Sequence, residues 1–144
     1  MTEKNNGILK VQKVDNDIPL FKHSYGDAGY DLYVTKDTWI YPFKVNKVPV
    51  NVKCQIENFH FGLTTSRSGE TLKGNIVIPG IIDNTYRGQI SALMFRVGLL
   101  PKKIKKNTRI AQLIIIPYKE CTIISEKLDN STRGENGYGS SGIK

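Results

Sequence analysis

Short apolar segments separated by turn residues run through almost the whole chain, and this pattern constrains its fold more than any other feature. The segments are rich in β-branched and aromatic residues, several alternate apolar with polar positions, and Gly, Pro, Asn or Lys separates them. Only residues 68–73 are typical of a short helical turn. The expected strands cover residues 8–14, 30–34, 39–40, 45–56, 59–65, 76–82, 89–97, 104–118 and 121–127. The sequence therefore predicts an all-β barrel or sandwich.

The size and composition of the chain indicate one folded domain followed by a different kind of segment. Its 144 residues are 39% hydrophobic, so we expect a β domain over residues 1–130 and a flexible Gly-rich arm over residues 131–144. No stretch reaches the roughly 20 apolar residues of a membrane helix, and no secretion signal is recognisable. Cys54 and Cys121 match no metal-ligand spacing. We expect a protein of the cytoplasm, or of the host cytoplasm if a phage or virus encodes it, without a membrane partner.

The charge balance favours polyanionic partners. The chain carries 21 Lys and Arg against 13 Asp and Glu, a formal net charge of +8, which suits nucleic acid, nucleotides or acidic surfaces. Much of the excess lies in Lys102, Lys103, Lys105 and Lys106, a run typical of a solvated turn beside a strand. No basic run is interleaved with aromatic residues, as in a groove for single-stranded nucleic acid. We therefore expect no direct binding of nucleic acid.

Residues 80–88, Gly-Ile-Ile-Asp-Asn-Thr-Tyr-Arg-Gly, place an acid and an aromatic residue in a turn between two apolar strands. Asp83 and Tyr86 are three residues apart, and the packing of an apolar core would require neither of them there. Two interpretations are open at this point. Both residues belong to the chemistry of a hairpin turn, or they form part of a catalytic site.

Three other segments insert polar residues into strand or turn surroundings. Asp31 enters a strand, where an acid pairs with an arginine or acts on a hydrated metal ion. Residues 65–69, Thr-Ser-Arg-Ser-Gly, combine a guanidinium, hydroxyls and a glycine N–H, which suits a bound anion and equally a helix cap made by a serine. Gln112 lies inside an apolar strand, where an unpaired amide costs ~1–3 kcal/mol, so we expect a backbone or ligand partner.

The arm combines glycines, hydroxyl groups and an arginine. From residue 131 it reads Ser-Thr-Arg-Gly-Glu-Asn-Gly-Tyr-Gly-Ser-Ser-Gly, a composition that cannot bury enough surface to fold alone. This is consistent with a frayed terminus. It also offers backbone N–H groups, serine hydroxyls and the guanidinium of Arg133 to a phosphate, and the flat face of Tyr138 to a base.

These five segments, in this order and at this spacing, resemble the five motifs of the homotrimeric deoxyuridine triphosphate nucleotidohydrolase (dUTPase) family. They lie at residues 28–33, 66–69, 80–88, 109–113 and 133–142. The resemblance implies a jelly-roll-like β-barrel subunit, a homotrimer with shared active sites, Mg2+ as cofactor, and hydrolysis of dUTP to dUMP and pyrophosphate. It further implies a role in keeping uracil out of DNA and supplying dUMP for thymidylate synthesis. It leaves a second protein partner open.

The resemblance also implies roles for individual residues. Asp83 would orient and deprotonate the water that attacks the α-phosphorus, and Tyr86 would pack under the sugar and leave no room for a 2′-hydroxyl. Asp31 would act indirectly, on the waters of an Mg2+ held mainly by the phosphates. The other implied substrate-binding residues are Arg67, Ser68, Gly69 and Gln112 at the triphosphate, Gly80, Ile81 and Ile82 at uracil, and Arg133, Tyr138, Gly139, Ser140 and Ser141 in the closing arm.

Several positions depart from the family pattern, at turn and support positions rather than at the attacking group. In particular, an acid and a hydroxyl follow the Arg-Ser-Gly where an apolar and a small residue are common. The departing residues are Glu70, Thr71, Asn84, Thr85, Asn107 and Thr108, together with Tyr138 in place of the more usual Phe.

Three other functions compete with dUTP hydrolysis. A deoxycytidine triphosphate deaminase shares the fold but needs an acid near the base, and residues 89–97 contain none. A regulatory or nucleotide-sensing protein of the dUTPase fold would use the same site as a switch. A basic nucleic-acid-binding barrel would leave the spacing of the five motifs unexplained.

Overall fold

The regular secondary structure of the described chain is almost all β-strand, as the sequence predicts. A computed structural model describes residues 6–142, so the outer ends of the two expected segments, residues 1–5 and 143–144, lie outside the described residues. The elements are β1 (Lys10–Gln12), β2 (Tyr30–Tyr33), β3 (Thr38–Ile40), β4 (Val45–Pro49), β5 (Lys53–Gln55), β6 (His60–Ser66), α1 (Ser68–Leu72), β7 (Asn75–Ile78), β8 (Gly80–Ile82), β9 (Ser91–Arg96), β10 (Lys102–Ile104) and β11 (Arg109–Pro117).

The described strands pair antiparallel in four sheets, without closing into one barrel. The largest sheet has the order β2-β11-β6-β8, and a second sheet has the order β4-β9-β7. Two smaller pairs, β1 with β5 and β3 with β10, complete the described set. The long strand β11 pairs with β6 over seven residues, from Ala111 opposite Ser66 to Pro117 opposite His60. This pairing places the expected motif at residues 66–69 beside the one at residues 109–113.

The core forms from the inward positions of alternating strands. In β9, Ala92 and Met94 are fully buried, whereas Leu93 and Phe95 on the other face are partly exposed. Burying a side chain of leucine, isoleucine or methionine size contributes about 1.5–3 kcal/mol each, so this alternation fixes which face of each strand points inward. The largest fully buried side chains are Ile18, Leu32, Ile40, Ile90, Met94, Ile110 and Leu113.

Breaks inside three of the predicted strands have local causes. The expected strand 45–56 divides at Asn51, whose buried amide accepts from the N–H of Val14 at 3.1 Å and of Asp15 and donates to the carbonyl of Ile18 at 3.0 Å. The side chain therefore anchors a distant loop. Pro79 divides the expected strand 76–82, and a turn at residues 105–108 separates β10 from β11.

The described chain excludes one interpretation of residues 80–88 and contradicts one predicted strand. The turn after β8 is not a hairpin turn, because β8 pairs with β6 while β9 pairs with β4 and β7. Residues 121–127 form no strand, although they lie within the described range, and Ile123 and Ile124 are exposed. Apolar alternation makes a strand only where a neighbouring strand supplies hydrogen bonds, and none of the described residues does so there.

No helix within residues 6–142 is long and apolar enough to cross a membrane.

The two cysteines differ in environment and should differ in reactivity. Burial raises the pKa of the Cys54 thiol, against a smaller opposite effect of Arg87, whereas Cys121 is exposed. Because the thiolate is the reactive form, we expect one fast thiol per native chain with Ellman's reagent at pH 8 and two in urea. A Cys121→Ser variant should lose the fast phase. Equal native rates for both thiols would contradict the buried placement of Cys54.

Candidate active site

A cavity of about 250 Å³ lies beside β8 and the turn that follows it. It opens between the edge of the large sheet and the outer face of the second sheet. Four residues that the sequence singled out, Gly80, Ile81, Ile82 and Asp83, line it together with Tyr86. The other lining residues are Lys47, Thr64, Gln89, Ile90, Ser91 and Leu93.

The turn after β8 fixes the two residues expected to carry chemistry. The N–H of Tyr86 donates to the carbonyl of Asp83 at 3.0 Å, which closes the turn. The Tyr86 hydroxyl donates to the carbonyl of Gln89 at 3.1 Å. A Cβ at Gly88 would overlap that hydroxyl, so glycine is required for the ring to lie here. The turn thus places an exposed carboxylate beside a fixed aromatic ring at the mouth of the cavity.

The backbone of β8 offers a second kind of recognition. This strand lies at the edge of the large sheet and pairs there with β6 alone among the described strands. An edge strand has N–H and C=O groups available for pairing with another molecule. Gly80 is close-packed, because a Cβ there would lie 2.7 Å from the Thr64 hydroxyl, which itself donates to the Gly80 carbonyl at 3.3 Å. The backbone can therefore approach a planar ligand edge closely.

A second cluster assembles around Asp31, and it is built from guanidinium groups. One carboxylate oxygen of Asp31 lies 2.9 Å from Arg67 Nε, and the other accepts from Arg109 Nη1 at 2.9 Å. Arg67 Nη1 also donates to the carbonyl of Arg109 at 3.1 Å. A register shift between Arg109 and Ala111 in the pairing of β11 with β2 brings these side chains together. Of the two sequence interpretations of Asp31, pairing with arginine is observed.

The segment between β6 and α1 completes this cluster. Gln112 Nε2 donates to the carbonyl of Ser66 at 2.9 Å, so its amide has a backbone partner. Ser66 Oγ accepts from the N–H of Val77 at 2.8 Å, and neither serine makes a side-chain cap for α1. Ser68 and Gly69 are exposed, and nothing lies within 4 Å of a Cβ built on Gly69. We call residues 66–69 the anion loop, because a serine and an open glycine face solvent there beside the partly exposed guanidinium of Arg67.

The cavity and the anion loop lie along the same strand, β6. Ile82, just before Asp83, pairs with Gly62, four residues before Ser66, so at about 3.3 Å per residue Gly62 and Ser66 are roughly 13 Å apart along the strand. Thr64, which lies between them, lines the cavity. Asp83 and the anion loop therefore lie on either side of Thr64 along β6.

The expected arm residues do not join either cluster in the described chain. The hydrogen bonds of residues 119–142 are all to other residues of that segment, such as Arg133 Nε to the carbonyl of Asn136 at 2.7 Å. Tyr138 is fully exposed, and Tyr138 and Gly139 both have positive φ. Ser140 closes a local turn by donating its N–H to Gly137. Gly139 and Ser141 also lie in this exposed stretch.

Sequence reasoning missed some residues at both clusters. Lys47 and Leu93 line the cavity because β4 and β9 pair with Lys47 opposite Leu93, and Gln89 lines it at the end of the turn after β8. Pairing register of this kind is not readable from one sequence. Arg109 was part of a motif but was given no role, although an arginine next to a predicted buried strand was a usable signal.

Replacing Asp31 should test the guanidinium cluster. In Asp31→Asn the charge is lost and two partly buried guanidinium groups lose an ionised acceptor, so we expect the free energy of unfolding to fall by about 1–3 kcal/mol. Urea unfolding measures this. The control Asp129→Asn removes an exposed carboxylate in the segment after β11 and should have no effect. Equal stability of the two variants would show that the cluster contributes nothing measurable.

Comparisons with known proteins identify the family. The family model described as dUTPase matches residues 16–142. Among curated relatives, the deoxyuridine 5′-triphosphate nucleotidohydrolase of Clostridioides difficile is 34% identical over 141 residues, covering 94% of this chain and 98% of the relative.

Solved structures give the same result. The dUTPase of Staphylococcus bacteriophage 80alpha, solved with dUPNHPP, is 26% identical, with a TM-score of 0.81 over 96% of this chain and 100% of its own. A mutant dUTPase of phage phi11 of S. aureus, described with a structural Mg(II) ion, is 20% identical and shares the fold with a TM-score of 0.79 over 86% of this chain and 99% of its own. The breadth of the family match and the identity to curated relatives show that the chain belongs to the dUTPase family.

Proposed function

We propose that this chain is a dUTP diphosphatase, which hydrolyses dUTP to dUMP and pyrophosphate. The observation that carries the proposal is that Asp83 and Tyr86, which share one hydrogen-bonded turn, line the same cavity, with the Tyr86 hydroxyl held in place. Membership of the dUTPase family supports it independently. The cellular consequences would be removal of dUTP from the pool used for DNA synthesis and supply of dUMP for thymidylate synthesis. Its proposed location is the cytoplasm of the cell in which it is made.

Asp83 is the proposed general base. Its carboxylate is exposed at the cavity, so it can hold a water by hydrogen bonding and take a proton as that water attacks the α-phosphorus. Tyr86 lies on the same turn, and its hydroxyl is held by the Gln89 carbonyl. The fixed ring would pack under the deoxyribose and exclude a 2′-hydroxyl. The edge backbone of Gly80, Ile81 and Ile82 would bind uracil.

The anion loop is the proposed binding site for the phosphates. Arg67 presents a guanidinium whose direction Asp31 fixes, and Ser68 and Gly69 supply an exposed hydroxyl and N–H groups. Gln112 positions the loop through the Ser66 carbonyl and lies beside it. Positive charge here would also stabilise the departing pyrophosphate.

The residues present fit an Mg2+ ion that is held mainly by the substrate. No group of three or more His, Cys, Asp or Glu suitable for a metal occurs among the described residues. Each oxygen of Asp31 accepts from one guanidinium and keeps acceptor capacity for a metal-bound water. When bound, Mg2+ would neutralise phosphate charge. Asp31 would hold it only through water.

We propose that a homotrimer completes the site. The strand positions beside Asp83 and beside the anion loop, Gly62 and Ser66, are roughly 13 Å apart along β6, and a neighbouring chain would supply further binding groups between them. The outer face of the sheet β4-β9-β7 supports such assembly, because four large apolar side chains are exposed on it: Val45, Ile78, Leu93 and Phe95. Leu93 also lines the cavity, so a chain packed on this face would lie beside it.

The arm is the proposed closing element. Apart from its local turns, it makes no hydrogen bonds within the described chain, and its glycines leave it costly to order. Bound phosphates would supply the missing contacts. Arg133, Ser140 and Ser141 would hold the γ-phosphate, with Gly139 giving backbone access, and Tyr138 would stack on uracil and exclude water.

A nucleic-acid-binding role is not favoured by the basic run. Lys103 lies 3.0 Å from Asp37, and Lys106 lies 2.9 Å from Asp15. The hydrogen bond from Lys106 lowers the pKa of Asp15, so the acid stays ionised. Half of the four lysines are therefore already paired with acids on the protein surface, which reduces the charge available to a phosphate backbone.

Substrate specificity and the role of Asp83 can be tested together. The wild-type protein with Mg2+ should release pyrophosphate from dUTP, and far less from dTTP, dCTP or UTP. Asp83→Asn should bind a non-hydrolysable dUTP analogue about as well as wild type, while kcat falls by roughly 10²–10⁴. Asp17→Asn, an exposed acid outside the site, is the matched control. Equal turnover of UTP would rule out the sugar role of Tyr86, and normal kcat in Asp83→Asn would place the base elsewhere.

Subunit mixing can test the arm and the shared site. A chain ending before Arg133 should keep its thermal stability but lose activity, because the arm buries little apolar surface. Asp83→Asn chains should be inactive for a different reason. Refolding the two in equal amounts should restore about a quarter of the sites if base and arm come from different chains of a closed oligomer, since each part is intact half of the time.

Wild-type protein refolded in the same way is the control for recovery. No activity in the mixture would mean that base and arm come from one chain. Normal kcat/KM in the truncated protein would show that the arm is only a frayed terminus.

A further inference from the structure

A buried carboxylate lies directly behind the anion loop. Glu70 is 5% exposed and is the third residue of α1. A buried carboxylate is retained only where its oxygens are hydrogen-bonded or paired. The Glu70 carboxylate must therefore have hydrogen-bonding partners. These partners hold the side chain in position, and with it the first turn of α1.

Both oxygens of Glu70 are paired. Oε2 accepts from Asn75 Nδ2 at 2.9 Å, and Oε1 lies 3.2 Å from Lys73 Nζ. The two partners differ, because Asn75 is fully buried whereas the Lys73 side chain is 63% exposed. An exposed ion pair contributes little, so the buried amide is the more important partner.

The side-chain amide of Asn75 also hydrogen-bonds to the neighbouring strand, β9. Its Oδ1 accepts from Arg96 Nη1 at 2.8 Å. Arg96 Nη1 also donates to the carbonyl of Lys73 at 3.3 Å, and Arg96 Nε donates to the carbonyl of Leu100 at 2.9 Å. A relay of Glu70, Asn75 and Arg96 therefore connects α1 to β7, to β9 and to the loop after β9.

The backbone joins this relay to the anion loop. The N–H groups of Glu70 and Thr71 both donate to the carbonyl of Arg67, at 3.1 and 3.0 Å. Ser68 and Gly69 lie inside this turn, so a shift of Glu70 would move their N–H groups and the root of the Arg67 side chain. Asp31 and Gln112 hold the loop from the side of β2 and β11, and the relay holds it from the side of β7 and β9.

We propose that Glu70 is a positioning residue for the triphosphate: its buried carboxylate, acting through Asn75 and Arg96, holds the turn at residues 67–70 in the conformation that binds the β- and γ-phosphates. The inference rests on the proposed function, since it assumes that this loop binds phosphate. Glu70 itself faces away from solvent and touches no substrate. Its effect should therefore appear in the affinity for phosphates and not in the binding of the nucleoside.

The test compares two ligands on matched variants. Calorimetry would give Kd for the α,β-imido analogue of dUTP with Mg2+ and for dUMP, which lacks the β- and γ-phosphates. In Glu70→Leu, we expect the analogue to bind about tenfold more weakly because the turn loses its buried anchor, while dUMP changes less than about twofold. The KM for dUTP should rise along with the Kd of the analogue, whereas kcat should change far less.

Three further variants separate positioning from simple loss of stability. Arg96→Ala removes the far end of the relay from a partly exposed position and should weaken the analogue selectively, as Glu70→Leu does. Glu70→Gln keeps an acceptor for Asn75 and should fall between wild type and Glu70→Leu. Glu57→Gln, which alters an exposed acid 3.8 Å from His60, is the control and should match wild type.

The outcomes are distinguishable. Selective weakening of the analogue in both Glu70→Leu and Arg96→Ala supports the proposal, whether or not their melting temperatures fall. Equal weakening of both ligands, or unchanged binding of the analogue, overturns the proposal while leaving dUTP hydrolysis intact. Failure of the wild-type protein to bind the analogue more tightly than dUMP would overturn the proposed function as well.

Discussion

The pairing of β11 with its two neighbours is the constraint on which the rest of the structure depends. Because side chains alternate along a strand, a shift of one residue would turn Ala111 and Leu113 out of the core and move Gln112 away from the anion loop. Burial of the apolar positions therefore sets the register, and the register places the polar positions. This register brings the Asp31 carboxylate between Arg67 and Arg109, near the common end of β2, β11 and β6.

In the proposed site, different parts of the large sheet recognise uracil and the phosphates. The cavity lies beside an edge strand, where backbone groups are available, and the anion loop lies where β6 gives way to α1. The second sheet has an apolar outer face, and the described residues of the arm hydrogen-bond only within their own segment. An exposed apolar face and an arm without contacts to the sheets are unfavourable in an isolated chain. Assembly would cover the face and give the arm a surface to contact.

The anion loop illustrates how a short segment can be held rigid without a long helix. Its carbonyl groups accept from Gln112 on one side and from the first turn of α1 on the other, and Arg67 is directed by Asp31. Behind it, Glu70 is buried against Asn75. Groups that are held in advance lose less conformational freedom when a ligand binds, which is the physical advantage of surrounding an exposed glycine with fixed neighbours.

The sequence by itself determined the fold class and the family, and it singled out the residues proposed to carry chemistry. Alternating β-branched segments favour strands, and Asp83, Tyr86 and Arg67 are recognisable because such residue types are out of place in an apolar pattern. Tertiary structure alone decided the partners: that Asp31 pairs with two arginines, that Lys47 reaches the cavity through the register of β4 with β9, and that Glu70 is buried. It also decided that residues 121–127, despite their alternation, form no strand in the described chain. The reason is that local sequence sets the preference of each segment, whereas contacts between distant segments depend on register and on which strands are adjacent, and these follow from packing of the whole core.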